Sequence, residues 1–356
     1  MVRGVRVAVV PRMRAESLRK VLHAAGVIDR THKITKRGVE VLIPLRAAPS
    51  IDLAAFGARL ESVEGLEARP RPRSPLEALK EAFDRAGIPA GVRPSRWERI
   101  GDIVLVRLAE PARPFAAAIG RTLGTVLHAR TVVEIAAPVQ GPMRTPDIRV
   151  LWGDGTETVH VEGGVRYKLD VGRVMFSSGN LSERLGVARL VRPGDVIVDL
   201  FAGIGYFTLP IAVRARPQRV YACELNPVAF EYLLENVRLN RAQNVLPLLG
   251  DCRATAPVGV ADVVLMGHFD AAQFLDVAFR SLRASGTIVY HELCPKERFS
   301  SDPQGRIAEA ARSFWYQVTD SRARIAKSYA PGIVHAVVEA RVEPIMRRKG
   351  RTSAAR

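Results

Sequence analysis

"VIVDLFAGIGYFTLPIAV", Val196 to Val213, decides the fold. A short apolar run ends in Asp199 and passes through Gly203 and Gly205, and an apolar helical pattern starts near Tyr206. A buried strand, a glycine turn and a helix build the floor of a pocket in an open parallel sheet, where ligands sit beyond the carboxyl ends of the strands. Glycine lets the backbone pass close to a ligand without a Cβ in the way, and the helix start aims amide donors into the gap. Thr208 holds the third glycine position of the dinucleotide fingerprint Gly-x-Gly-x-x-Gly. That favours a ligand without a diphosphate.

The rhythm continues outward from this stretch. "RVYACEL", "AFEYLLENVRLN", "VLPLLG", "DVVLMG", "AAQFLDVAFRSL" and "TIVYHEL" alternate strand with helix, which calls for right-handed crossovers and a parallel sheet covered on both faces. "FWYQVTDSRARIAKSYAPGIVHAVVEARV" reads as a helix end and two strands with no helix between them, an antiparallel pair that closes the sheet. The expected fold class is α/β: a Rossmann-like domain with a mostly parallel seven-stranded sheet over 169–346, preceded by two small α+β modules.

The first module, 1–68, has a strand over Val5 to Val10 and a second strand in "VEVLIPL". Between them "AESLRKVLHAAG" places Leu18, Val21, Leu22 and Ala25 on one helical face before Gly26. The linker "ARPRPRSP" bounds it. The second module, 72–168, opens with a helix capped by Ser74, Pro75 and Glu77, with Leu76, Leu79 and Phe83 as its buried stripe. "GDIVLVRL" follows as a strand, "PFAAAIGRTL" as a helix and "VRVLWGDGTETVHV" as a hairpin turning at Gly153-Asp154-Gly155. The basic tail, 347–356, has a disordered composition.

Fifty-three basic residues against 36 acidic ones, a formal charge of +17 in 356 residues, would attract a polyanion, and nucleic acid is the first partner to consider. Arginine-rich surfaces also arise from heat adaptation. Cys223, Cys252 and Cys294 have neither disulfide nor metal spacing, and the histidines show no ligand pattern, so no metal is expected and a reducing cytoplasm fits. The N-terminal apolar run stops at Pro11, too short for a signal segment, and no stretch reaches the length of a membrane span.

Three acidic residues lie at successive strand ends: Asp199, Glu224 in "YACEL" and Asp251 in "GDCR". Glu224 stands where an acidic residue bonds ribose hydroxyls, and Asp251 suits an adenine amino group. Together they describe an S-adenosylmethionine pocket, with negative surroundings for the sulfonium. Each also has a plain structural reading: Asp199 as a helix cap, Glu224 as a surface charge, Asp251 as a turn residue.

"VMFSSGNLSERLGVARLVRPGDVIVDLFAGIGYFTLPIAV" (Val174–Val213), "ADVVLMG" (Ala261–Gly267) and "AKSYAPGIVHAVVEARV" (Ala326–Val342) resemble one archaeal and eukaryotic family. It contains the tRNA guanine N1-methyltransferase acting next to the anticodon and the wybutosine-synthesis aminocarboxypropyltransferase. The likeness covers nearly the whole chain. "LMGHFDAAQF", Leu265 to Phe274, lacks the Asn-Leu-Pro of the methyltransferase branch, and "MFSSGNLSER" has the Met-Phe-Ser-x-x-Asn-x-x-Glu-Arg pattern of the other.

The resemblance therefore implies transfer of the 3-amino-3-carboxypropyl group to C7 of 4-demethylwyosine at position 37 of tRNA(Phe), near the anticodon; separately, a monomer is expected. The guanine-37 N1-methyltransferase is the alternative, and an idle tRNA-binding scaffold a third. By resemblance Phe176 and Ser177 line the cofactor cavity, Arg184 engages the methionine carboxylate, and Glu224 takes the ribose. Asp251 and Cys252 flank the adenine, with Cys252 standing where an Asn is expected. Asn226 completes the cofactor-binding set with Asp199, Gly203 and Gly205. His268 and His291, at strand ends, are the candidates for carrying the C7 proton. Lys327 and Tyr329 would contact tRNA or brace the pocket.

Overall fold

The structure, a computed structural model, describes residues 4–69, 74–140, 145–299 and 301–345. The tail 347–356 and the middle of the linker lie outside the described residues. The chain divides into two compact units, 1–78 and 79–356.

In the first unit, β1 (Val5–Pro11) is followed by α1 (Ala15–Ala24), β2 (Thr35–Arg37), β3 (Glu40–Pro44) and β4 (Arg59–Val63). They form an antiparallel sheet in the order β2-β3-β1-β4. Val7 to Val10 are sealed on both faces, Ala8 and Val10 in one cluster with Leu18 and Leu22, Val7 and Val9 in another with Leu42. The helical stripe is narrower than its sequence suggests. Val21 and Ala25 are exposed, because one sheet face accepts a single i, i+4 row, Leu18 and Leu22. β2 and β4, which are polar and without alternation, are held by ion pairs of Arg37 and Arg59 with Glu40 and Glu61.

At the head of the second module α2 (Pro75–Arg85) has its capping box formed: Ser74 N donates to Glu77 Oε2 at 2.9 Å and Glu77 N to Ser74 Oγ at 3.1 Å. Leu79 and Phe83 are buried, whereas Leu76, in the first turn, is 58% exposed and does not join the stripe. β5 (Trp97–Ile100), β6 (Ile103–Val106), α3 (Ala116–Leu127), β7 (Thr131–Gln140) and β8 (Thr145–Gly153) follow, the strands in a sheet of order β5-β6-β7-β8. β9 (Glu157–Glu162) pairs with β10 (Val165–Asp170) in a separate ribbon.

The expected hairpin at Gly153-Asp154-Gly155 is therefore corrected. β8 pairs with β7 and β9 with β10, and the turn hands the chain from one sheet to the other. Arg130 and Thr131 hold it there by donating to the Asp154 carbonyl at 2.6 and 2.5 Å. These partners lie over 20 residues away, where local turn chemistry gives no sign of them.

The remaining elements are α4 (Leu181–Leu190), β11 (Val196–Asp199), α5 (Thr208–Arg214), β12 (Arg219–Glu224), α6 (Pro227–Leu239), β13 (Val245–Leu249), α7 (Cys252–Thr255), β14 (Ala261–Met266), α8 (Leu275–Ser281), β15 (Leu282–Pro295), α9 (Asp302–Ser313), β16 (Tyr316–Ala330) and β17 (Ile333–Pro344). Their sheet runs β13-β12-β11-β14-β15-β17-β16. The first five strands are parallel, and β17 enters antiparallel between β15 and β16. This is the α/β class expected, with strand order reversing between β11 and β14. Apolar residues seal both faces, Ile197 and Val263 on one, Val198 and Val264 on the other. The ribbon is fastened by Asn236, fully buried on α6. Its Oδ1 accepts from Lys168 N at 2.6 Å, and its Nδ2 donates to Lys168 O and to Ile204 O, inside the glycine turn.

Candidate functional site

The crevice at the β11–β14 reversal is built from the turn after β11. Gly203 (φ 57°) and Gly205 (φ 99°) take the left-handed backbone region that side chains avoid. A Cβ on Gly203 would lie 2.3 Å from the Tyr206 ring. Asp199 is wholly buried beneath the turn, accepting from Thr208 Oγ1 at 2.7 Å and from Phe201 N at 3.2 Å. Burial pushes its carboxyl up to about 6, against the hydrogen bonds from Thr208 and Phe201. Asp199 thus ties the strand end to the first residue of α5 through the Thr208 hydroxyl and does not cap the helix.

Glu224, at the tip of β12, reaches across to the same turn. Its Oε2 accepts from Gly203 N and its Oε1 from Asn226 N, both at 2.7 Å. Burial raises its carboxyl from the ordinary range, against these amides. Each oxygen has a further lone pair and the side chain is only half-buried, so a pair of ribose hydroxyls fits the acceptor set. Asn226 is a helix cap, its Oδ1 accepting from Val228 N at 2.9 Å.

At the third strand tip Asp251 caps α7, accepting from Arg253 N at 2.8 Å and pairing with the Arg253 guanidinium at 3.0 Å. Cys252 beside it is buried, and burial pushes its thiol up to about 12, so it acts as an apolar wall and not as a nucleophile. Phe201 extends the wall, with the His268 ring 5.3 Å and the Phe274 ring 5.1 Å away. His268 Nδ1 accepts from Asp270 N at 3.1 Å. At the exit of β14 a Cβ on Gly267 would lie 2.8 Å from the Phe207 ring, so Phe207 fills the space a side chain would need there.

Tyr206 joins this turn to the segment before α4. Its hydroxyl donates to the Met175 carbonyl, and its ring lies 5.8 Å from that of Phe176. The segment is gripped from three further directions. Glu98 on β5 accepts from Ser178 N at 3.1 Å, Lys327 on β16 donates to Asn180 Oδ1 at 2.9 Å and Ser177 Oγ at 3.3 Å, and Arg184 donates to Ser177 O at 3.0 Å. Lys327 thus braces the segment before α4.

Arg184 is placed differently from its expected role. It is 2% exposed, bidentate to Glu162 at 2.6 and 2.7 Å, with its guanidinium carbon 4.9 Å from the Phe176 ring centroid. A guanidinium committed this way positions Phe176 and Ser177 instead of offering an open fork to a carboxylate. Glu162 and Glu98 escape the sequence reading, since they act from strands far along the chain and stand in no local pattern. His291 is buried beyond Phe207, ring to ring 5.3 Å.

A left-handed glycine turn over a buried aspartate, an acidic second strand tip and a parallel sheet closed by an antiparallel pair define a Rossmann-like fold whose ligand crevice lies at the strand tips. Comparison with known proteins narrows the class. The TRM5/TYW2 methyltransferase domain matches residues 158–319, the TYW2 N-terminal domain residues 77–156 and the tRNA methyltransferase 5 N-terminal domain residues 9–52. A Methanocaldococcus jannaschii tRNA(Phe) (4-demethylwyosine(37)-C(7)) aminocarboxypropyltransferase is 38% identical over 70% of this chain and 99% of its own length. The tRNA (guanine(37)-N(1))-methyltransferase Trm5b of Pyrococcus abyssi is 33% identical over 94% of this chain and 98% of its own. The crystal structure of M. jannaschii TYW2 in complex with AdoMet superposes with a TM-score of 0.60 at 35% identity, covering 70% of this chain and all of that one (100%). The chain belongs to the TRM5/TYW2 family.

Among the described residues no helix is long and apolar enough to cross a membrane, and no group of three or more His, Cys, Asp or Glu is arranged to hold a metal ion.

Proposed function

We propose that this chain transfers the 3-amino-3-carboxypropyl group of S-adenosylmethionine to C7 of 4-demethylwyosine at position 37 of tRNA(Phe), releasing methylthioadenosine. The observation that carries this reading is the match to the Methanocaldococcus aminocarboxypropyltransferase over 99% of that enzyme's length. The exit of β14 supports it: Gly267, packed under Phe207, offers no side chain for holding a guanine edge.

S-adenosylmethionine is the donor substrate, and its sulfonium makes three attached carbons electrophilic. Orientation decides which of them reacts. Glu224 holds the ribose; Phe201, Cys252 and Asp251 border the adenine; Phe176 and Ser177 line the amino-acid arm. Arg184 acts through the two, keeping them in place from its pair with Glu162. Asp199, Gly203, Gly205 and Asn226 shape the backbone that receives the nucleoside. Attack by C7 forms a carbon–carbon bond to Cγ, and the Cγ–S pair returns to sulfur, neutralising it.

The three-part division into 1–68, 72–168 and 169–346 with a basic tail belongs to the same reading, the first module contacting tRNA and the site addressing the anticodon region. The chain acts in the cytoplasm as a monomer. The Trm5b relative, which spans 94% of the chain, favours a second reading, methyl transfer to guanine-37 N1. Donor labelled separately in the carboxyl and methyl carbons tests both. Transfer of the carboxyl label to tRNA supports the first reading, and transfer of the methyl label alone establishes the second.

A further inference from the structure

β15 and β17 carry two buried imidazoles, His291 and His335, 3% and 2% exposed. The strand register sets His291 opposite Val337 and His335 opposite Leu293, so the two are diagonal neighbours. His291 Nδ1 lies 3.0 Å from His335 Nε2, a hydrogen bond between rings. Burial lowers both, His291 further by its neighbour His335 and then Arg324, and His335 further by Lys327 and Arg324 to about 4; both rings are neutral at pH 7.

The outer nitrogens then decide what the pair can do. His335 Nδ1 is sealed from solvent without a hydrogen-bond partner among the described residues. His291 Nε2 bonds to no described residue. A neutral pair has two arrangements. When His291 Nδ1 donates, its Nε2 is a free lone pair; when His335 Nε2 donates, His291 Nε2 carries the hydrogen. A proton accepted at His291 Nε2 in the first arrangement turns the pair into a single imidazolium whose proton is shared along the ring–ring bond. An unsatisfied buried nitrogen is costly, and such atoms call for a functional account.

The pair also stands in the right place. The His291 ring meets the edge of Phe207, which ends the glycine turn and covers Gly267, and the His335 ring lies 5.0 Å from Phe269, just beyond β14. It therefore backs the wall between the first and fourth strand tips. His268, the other histidine of that region, is tied to Asp270 N and lies against Phe201, as part of the wall.

We propose that His291 accepts the proton leaving C7 of the acceptor base and that His335 is its positioning residue, holding the ring and sharing the proton. This rests on the aminocarboxypropyl reading above. Bond formation between neutral C7 and Cγ, with the Cγ–S pair leaving to sulfur, puts the positive charge on the tricyclic base. The C7–H pair then returns to the ring, and the proton passes to His291 Nε2 and into the bond with His335. A proton on such a cationic adduct is acidic enough for a weakly basic imidazole.

The test is single-turnover transfer to tRNA carrying hydrogen or deuterium at C7 of its tricyclic base. With the unaltered chain, carbon–carbon bond formation limits and the isotopes react alike. Because the sulfur of methylthioadenosine can take the arm back from the cationic adduct until the C7 proton leaves, His291→Gln should slow net transfer by roughly 10²-fold or more, with a normal primary isotope effect, while calorimetry shows S-adenosylmethionine bound as before. His335→Asn, which leaves His291 in place, should give a smaller slowing with the same isotope effect; it carries the test if His291→Gln loses donor binding. Wild-type rates in His291→Gln, or slowing without an isotope effect at unchanged donor affinity, overturn the proposal. Absence of arm transfer by the unaltered chain, read from the carboxyl label, is a distinct result that removes the parent reading and this one together.

Discussion

Replacing Glu224 by Gln tests the pocket at the residue on which two strand tips and the turn converge. Its two oxygens each accept one backbone amide at 2.7 Å, from Gly203 and from Asn226. Glutamine keeps one acceptor and sets an NH2 donor against the other amide, which removes one hydrogen bond to a charged group, worth about 1.5 to 3 kcal/mol. The turn must then be rebuilt when the nucleoside binds, and the ribose loses an acceptor. At 1.4 kcal/mol per tenfold, the dissociation constant for S-adenosylmethionine should rise roughly 10- to 150-fold. Titration calorimetry with S-adenosylmethionine and, separately, methylthioadenosine reads the effect. The two ligands share the ribose, so the same factor is expected for both. An affinity within about twofold of wild type, or a loss confined to S-adenosylmethionine, would refute the assignment of Glu224 to the ribose.

Asp199→Asn tests the buried brace through pH. A carboxyl raised in the fold from 3.8 to about 6 binds its proton more tightly there than in the unfolded chain, so its contribution is present below 3.8 and lost as pH rises through about 6. Urea unfolding should show Asp199→Asn gaining about 3 kcal/mol on wild type between acidic pH and pH 7; a pH-independent difference would contradict the burial argument. Arg184→Met leaves the largely buried Glu162 with only His160 among the described residues, 3.6 Å away, as an ion partner and should cost about 3 kcal/mol, and adding Glu162→Gln should recover most of it in the same unfolding assay. Gly203→Ala combines a left-handed φ with a Cβ 2.3 Å from the Tyr206 ring, and thermal unfolding should show a loss of about 2 kcal/mol or more.

Much of the catalytic architecture is legible because it is periodic. β11, β12, β14 and β15 are apolar runs punctuated by glycine or polar turns, and the final pair shows itself by the lack of an intervening helix. The capping box at Ser74 and Glu77 is equally local, and forms. What escapes is the partner chosen at long range. "LWGDGTET" has the chemistry of a hairpin turn, yet Arg130 and Thr131 bind its carbonyls and redirect the chain to another sheet. Arg184 reads as a free cation until Glu162, on β9, is found beside it. Asp199 shows the same limit in the site: an acidic residue at a strand tip is visible, but its total burial under Thr208 is a property of packing.

The most direct measurement is the mass of the nucleoside at position 37 after purified chain, S-adenosylmethionine and tRNA(Phe) bearing 4-demethylwyosine are combined. The account predicts a gain equal to the four-carbon amino-acid arm, with methylthioadenosine appearing in equal amount. A gain of one methyl group, with S-adenosylhomocysteine as the by-product, would contradict it.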